Sequence, residues 1–352
     1  MPLETPAAHG YSMPAEWQRH TATWLAWPHN RDTWPHQLAE VQAIYGQIIA
    51  ALHGHEIVKL LVNDADMAAQ ALYVLQEQRV PTEHVKLHHY PTADAWLRDS
   101  GPTFLTATTD ATPCLALVDW QFNAWGGKYP ELRVDDALPG WLANVYGLPY
   151  YRPNIVLEGG SIDVNGRGSC LTTEQCLLHP NRNPHLQRAE LERYLQDYLG
   201  VRHVIWLGEG IAGDDTDGHV DDIVRFVDPT TVVCALTDDP HDVNYAILQD
   251  NYHRLQTATD QDGQPLRVVP LPLPHPVLAE HQPLPASYAN FYIANGVVLV
   301  PTYDCPQDQQ ALELLQTLFP QRRIIGIPCT PLVWGLGAIH CITQQQPAGM
   351  PA

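Results

Sequence analysis

A chain of 352 residues with 45% hydrophobic and 16% charged side chains has the composition of a globular protein, long enough for one large core or two ordinary ones. Its formal net charge of −20 argues against a nucleic-acid or anionic-membrane partner and suits either a cationic ligand or plain solubility. No apolar run approaches membrane-spanning length, and the opening MPLETPAAHGYSMPAEW lacks the basic start and apolar centre of a secretory signal. Thirty-one prolines and 23 glycines imply many turns rather than long bundled helices. The seven cysteines (114, 170, 176, 234, 305, 329 and 341) are odd in number and show no C-x-x-C pair. They read as reduced thiols of a cytoplasmic protein.

In chain order, TATWLAWP reads as a strand, HQLAEVQAIYGQIIAALH as a helix and HEIVKLLV as a second strand. TFLTAT and LALVDW follow as two strands, ELRVDDALPGWLANVYG as a helix and PYYRP as a strand. From 161 the order is clearer. SIDV turns through NGRG into SCLTTEQ, PHLQRAELERYLQDYLG is helical and stops at Gly200, and HVIWL is a strand. The same order returns as IVRFV, VVCAL, helical HDVNYAILQDNYHRLQ and LRVVPL. It returns again as YANFYI, VVLVP, helical PQDQQALELLQTLF and RRIIGIP. Only 259–285 looks like a linker. Each unit is strand-strand-helix-strand, and the first lacks one strand. The last segment, IHCITQQ, is the unmatched strand. If residues 337–343 pair with 22–27, the ring closes, no sheet edge stays open, and residues 1–352 form a single domain.

Polar clusters recur at the start of the units: WLRDSGP (96–102), VLEGGS (156–161), DDTDGHVDD (214–222) and GLGAIHC (335–341). Equivalent positions in a closed ring converge on its axis. Asp99, Glu158, His219, Asp221 and Cys341 are therefore expected in one pocket. Taken singly, each has an ordinary reading: a structural ion pair for Arg98-Asp99, a turn for Glu158-Gly-Gly, a core histidine and a packed thiol. Those readings leave the shared placement unexplained. Together, a thiolate attacks an electrophilic carbon while a histidine shuttles protons. Carboxylates beside the thiol would raise its pKa, which makes sense where the substrate is a cation with several N–H donors. A guanidinium is planar and permanently charged, and carboxylates bind it with paired hydrogen bonds. The chemistry is then attack at the guanidinium carbon, loss of ammonia and hydrolysis of a thiouronium.

The stretches MPAEW, ATWLAWPHNRDTW, WLRDSGP, FNAWGGK, LEGGSIDVNGRG, LTTEQCLLHPNRNP, DTDGHVDD and GAIHCITQQQP resemble the agmatine deiminase family of the guanidine-modifying pentein superfamily, from end to end. That resemblance implies a five-bladed α/β propeller of ββαβ units, needing neither cofactor nor metal. It implies Cys341 as nucleophile, His219 as acid and base, and Glu158, Asp99 and Asp221 as holders of the guanidinium. Trp96 and Asp215 are candidates for the channel of the substrate's tail, with Gly337 beside the nucleophile. The substrate implied is agmatine, a small cationic guanidine. Three residues depart from the family pattern: Leu336 and Ala338 before the cysteine, and Asp222 after Asp221. Asp222 is expected to open a strand and so to point away from Asp221.

Other readings are a peptidyl-arginine deiminase or another small-guanidine deiminase, a zinc hydrolase built on Cys341, His219 and Asp221, and a propeller that only binds. No tight ligand pair such as H-E-x-x-H supports zinc. FNAWGGK reads as a tight loop suited to the pocket mouth. Oligomeric state is left open, a homo-oligomer included.

Overall fold

The structure, a computed structural model, describes residues 5–109 and 112–351. Strands β1 (His20–Ala26), β2 (Ile57–Val62) and β3 (Val85–His89) form the first sheet. The second contains β4 (Thr103–Thr109), β5 (Thr112–Val118) and β6 (Tyr150–Tyr151). The third contains β7 (Asp163–Val164), β8 (Ser169–Thr173) and β9 (His203–Leu207). The fourth contains β10 (Val224–Asp228), β11 (Thr231–Leu236) and β12 (Arg267–Pro272). A small hairpin, β13 (Leu278–Ala279) and β14 (Gln282–Pro283), precedes the fifth sheet of β15 (Tyr292–Ala294), β16 (Val297–Thr302) and β17 (Arg323–Pro328). Near the C-terminus, β18 (Gln344–Pro347) joins the first sheet and β19 (Met350–Pro351) the second.

In the second to fifth sheets the first two strands are antiparallel and the third runs parallel to the second. A parallel return needs a crossover, and a helix supplies it each time. The helix Arg188–Leu199 shows why these segments form. It opens with reciprocal capping between Gln187 and Glu190, buries Leu191, Leu195, Tyr198 and Leu199 along one stripe, and stops at Gly200. Gly200 has φ 69°, a left-handed backbone that a side chain would strain. The central strands β11 and β16, TVVCAL and VVLVPT, are buried along almost their whole length, as strands covered on both faces require.

The first sheet obtains its missing strand from the far end of the chain. β18 lies antiparallel to β1, with Ala22 opposite Gln346, Thr23 opposite Gln345 and Trp24 opposite Gln344. This closes the five-bladed ring. The closing strand is not 337–343, however. Residues Ile339–Ile342 form a single helical turn, and pairing begins only at Gln344. Cys341 therefore lies on this turn and not in the sheet. Two further differences concern length. The helix Ala65–Glu77 and β3 extend the first blade, and 259–285 is no linker but holds β12 and the β13–β14 hairpin. Among the described residues no helix is long and apolar enough to cross a membrane.

Candidate active site

Short turns that open the blades carry the polar residues. Asp99 sits in the helical turn Leu97–Ser100 before β4, and Glu158 caps the 3-10 turn Gly159–Ser161 before β7. His219 caps the turn Val220–Asp222 before β10, and Cys341 lies on the turn before β18. The remaining blade contributes Asn290, just ahead of β15. Its Nδ2 lies 3.1 Å from Cys341 Sγ and donates to Asp222 Oδ1 at 2.9 Å. Asn290 was absent from the sequence reading, although its place in the repeat equals that of the other four.

These turns converge. A Cβ built on Gly160 would lie 2.5 Å from His219 Nδ1, 3.0 Å from Asp99 Oδ1 and 3.1 Å from Asp221 Oδ2. Only a residue without a side chain lets the three approach. Gly337 acts likewise, since a Cβ there would meet Trp96 at 2.6 Å and Cys341 Sγ at 3.2 Å. Asp99 accepts from the Gly160 N–H and from Trp125 Nε1, each at 2.9 Å. FNAWGGK thus forms part of the wall, through Trp125. Arg98 does not pair with Asp99. It lies 3.6 Å from Glu16 and donates to the His340 carbonyl.

Several buried polar atoms have no hydrogen-bond partner among the described residues: Glu158 Oε2, Asp221 Oδ1 and both ring nitrogens of His219. Their neighbours are satisfied. Glu158 Oε1 accepts from Arg182 Nε at 2.6 Å, and Asp221 Oδ2 from His340 Nδ1 at 2.6 Å. Unpaired buried polar atoms are rare and costly in folded proteins, so a group of them marks a place where a ligand completes the bonding.

Electrostatics follow from burial. Burial first, then Asp221, Asp222 and Asp99, push the Cys341 thiol well above its ordinary value. Burial works to lower His219, but Asp99, Cys176 and Asp221 outweigh it and hold the ring well above its ordinary value. Burial, Asp221 and Glu158 leave Asp99 raised despite His219. Burial also works to raise Asp221, but the hydrogen bond and charge of His340 bring it below the usual carboxylate range. Asp222 does not point away as expected. It lies in the turn rather than in the strand, and ligand-type atoms of Asp221, Asp222 and Cys341 fall within 4.8 Å of one another. A second set is Glu158, Cys176 and His219. The trio of the zinc reading, Cys341, His219 and Asp221, is thus divided between two clusters.

A cavity of about 210 Å³ reaches Cys341 and Asp99 and is also lined by Trp96, Tyr129, Asp215 and Leu336. Glu158, His219 and Asp221 are not part of its wall and lie fully buried. Asp215 Oδ2 accepts from Tyr129 Oη at 2.5 Å, and its Oδ1 lies 3.3 Å from Lys128 Nζ. Leu336 has φ 70°, unusual for a residue with a side chain.

A ring of five ββαβ blades with cysteine, histidine and carboxylates at its centre defines the pentein class. Comparison with known proteins narrows this: the model of the Porphyromonas-type peptidyl-arginine deiminases matches residues 12–347, and the chain belongs to that family. The agmatine deiminase of Ectopseudomonas mendocina is 40% identical over 367 residues, covering 98% of this chain and 97% of the relative. Among solved structures, agmatine deiminase of Enterococcus faecalis superposes with a TM-score of 0.90 at 34% identity, covering 99% and 98% of the two chains. A cysteine-to-serine variant of the C. jejuni agmatine deiminase with substrate bound has a TM-score of 0.86 at 29% identity, covering 97% of each chain.

Proposed function

We propose that the protein hydrolyses agmatine to N-carbamoylputrescine and ammonia, with Cys341 as nucleophile. The observation that carries this is the pair of unpaired buried carboxylate oxygens, Glu158 Oε2 and Asp221 Oδ1, near a thiol, a pattern matched to the N–H donors of a guanidinium, with the His219 ring beside them as a proton donor. The guanidinium carbon enters between Asp99 and Cys341, with Glu158 and His219 one layer deeper. Its positive charge offsets the carboxylates that hold the thiol up, so substrate itself favours the thiolate.

As the guanidinium binds, the Cys341 thiol loses its proton to solvent, and the thiolate attacks the guanidinium carbon and forms a C–S bond. His219, held protonated by its carboxylate neighbours, gives a proton to one terminal nitrogen. The C–N bond breaks and ammonia leaves. The resulting thiouronium is attacked by water, whose proton passes to His219. Collapse to the carbonyl breaks the C–S bond, the remaining hydroxyl proton returns to the sulfur, and the carbamoyl product leaves with the Cys341 thiol and protonated His219 restored. Asp99 and Asp221 orient the planar group throughout, and Asn290 orients the sulfur.

The tail of agmatine carries an ammonium, and Asp215 with Trp96 forms the far wall that suits it. The family's name makes a peptidyl-arginine substrate the second reading. Against it stands the cavity's outer wall, where the aromatic Trp96 and Tyr129 accompany Asp215 and Glu131, which suit a second cation better than a peptide carbonyl. A cytoplasmic location suits the buried thiols of Cys170, Cys176, Cys234 and Cys329, none in a disulfide. Ammonia release measured across agmatine, arginine, alkylguanidines and an arginyl peptide tests the assignment. Agmatine should be turned over best; a peptide turned over faster would overturn it.

A further inference from the structure

A buried chain of charges behind the nucleophile plays no direct part in the steps above. His340, immediately before Cys341, has Nδ1 2.6 Å from Asp221 Oδ2 and Nε2 2.8 Å from Glu16 Oε2. The imidazole is thus held by a carboxylate oxygen at each ring nitrogen, which fixes its plane between Glu16 and Asp221. Both partners are ionised. Asp221 lies below the carboxylate range, and Glu16 lies well below it because Arg225, His340 and Arg98 together outweigh its burial. Glu16 is in turn held from several sides. Its Oε2 lies 2.9 Å from Arg225 Nη2 and 3.6 Å from Arg98 Nη2, and its Oε1 accepts from the Ile293 N–H at 2.7 Å. Its carbonyl lies 2.7 Å from His20 Nε2. Arg225 is also bound by Asp163 at 2.7 Å. At the other end of the chain, Asp221 Oδ2 is 3.9 Å from Cys341 Sγ, with Asp222, Asp99 and His219 around it.

We propose that Glu16, in the loop before β1, is a positioning residue for the reaction, acting through His340 to orient Asp221 and to balance its charge beside the Cys341 thiol. The inference rests on the reading of Cys341 as nucleophile. An unbalanced carboxylate next to a thiol raises the cost of forming the thiolate. A ring pinned on the far side of that carboxylate, with Arg225 behind it, holds Asp221 Oδ2 and leaves Oδ1 without a partner among the described residues, open to the guanidinium. Without the charge of Glu16, Arg225 and Arg98 face His340 with no anion between them. The ring then loses the carboxylate that anchors its Nε2, and Asp221 is no longer held in place beside the thiol.

Labelling of Cys341 by the neutral reagent iodoacetamide, followed by mass spectrometry across a pH series without substrate, reads this directly. Glu16→Gln should label roughly tenfold more slowly than wild type at neutral pH, its profile moved to higher pH by about one unit. Glu16→Asp should recover part of the difference, and in turnover Glu16→Gln should lower kcat more than it raises KM. A Glu16→Gln protein that folds but whose labelling profile superimposes on wild type overturns the relay. Should that variant not fold, 15N NMR of the wild-type protein decides. His340, identified by the loss of its signals in His340→Gln, should show both ring nitrogens engaged in hydrogen bonds, and a ring nitrogen without one overturns the relay. A shifted labelling profile in a protein inactive on agmatine would uphold the relay while refuting the substrate.

Discussion

At the inner end of the cavity and in the buried layer behind it, the side chains of Asp99, Glu158 and Asp221 are 3%, 0% and 0% exposed, whereas that of Asp215 in the cavity wall is 36% exposed. The inner group leaves Glu158 Oε2, Asp221 Oδ1 and the His219 ring without partners. Both oxygens of Asp215, by contrast, are engaged by Tyr129 and Lys128. An unpaired buried polar atom costs about 1–3 kcal/mol, a cost that bound substrate removes. A half-exposed ion pair contributes only about 0–1 kcal/mol either way. The inner end should therefore govern rate, and the outer end selectivity.

The sharpest way to break that division is Cys341→Ser. Turnover should fall to background, because a hydroxyl among carboxylates is a far poorer nucleophile than a thiolate; near-normal ammonia release would remove covalent catalysis. His219→Ala should lower kcat by ~10²–10⁴-fold, the range for a general acid–base residue. A loss confined to KM would instead make it a binding residue. The charge environment predicts the next effect. Burial and three carboxylates keep the thiol of the free protein protonated at neutral pH, so labelling by iodoacetamide should be slow there and quicken as pH rises. A haloacetamidine, which carries a positive charge, should label faster than iodoacetamide at the same neutral pH, and equal rates would contradict substrate-assisted activation. The smallest effect belongs to the outer end. Asp215→Asn should raise KM for agmatine by a few-fold, leave kcat nearly unchanged, and narrow the preference for agmatine over alkylguanidines. An unchanged preference would remove Asp215 from the site.

How legible the site was varies residue by residue. Asp99, Glu158, His219 and Cys341 were found because each opens a repeat, and repeats are visible in the order of apolar segments. Asn290 occupies the equivalent place in the last repeat, but YANFYI reads as one continuous strand, and only the structure shows that pairing starts at Tyr292. Glu16 and Arg182 carry no local signal at all. They matter because the fold carries Glu16 to His340 and Arg182 to Glu158. Asp222 was misjudged because a strand's alternation was applied to a residue that lies in a turn.

The sequence by itself determined the five-fold alternation of strands and helices and the residues at the head of most repeats. These are local matters of hydrophobic spacing, capping and turn chemistry, settled within a few residues of chain. That the far end of the chain closes the ring was legible too, but tertiary structure alone decided which residues form the closing strand. QQQP is polar enough to pass for a loop, yet Gln344–Pro347 is fully buried because β1 supplies its backbone partners. Gln346 finds its side-chain partners far away in sequence: its Oε1 accepts from Trp24 Nε1 at 3.1 Å and from Lys59 Nζ at 2.9 Å. A buried amide is tolerated only where such partners exist, and nothing in four residues of sequence records them.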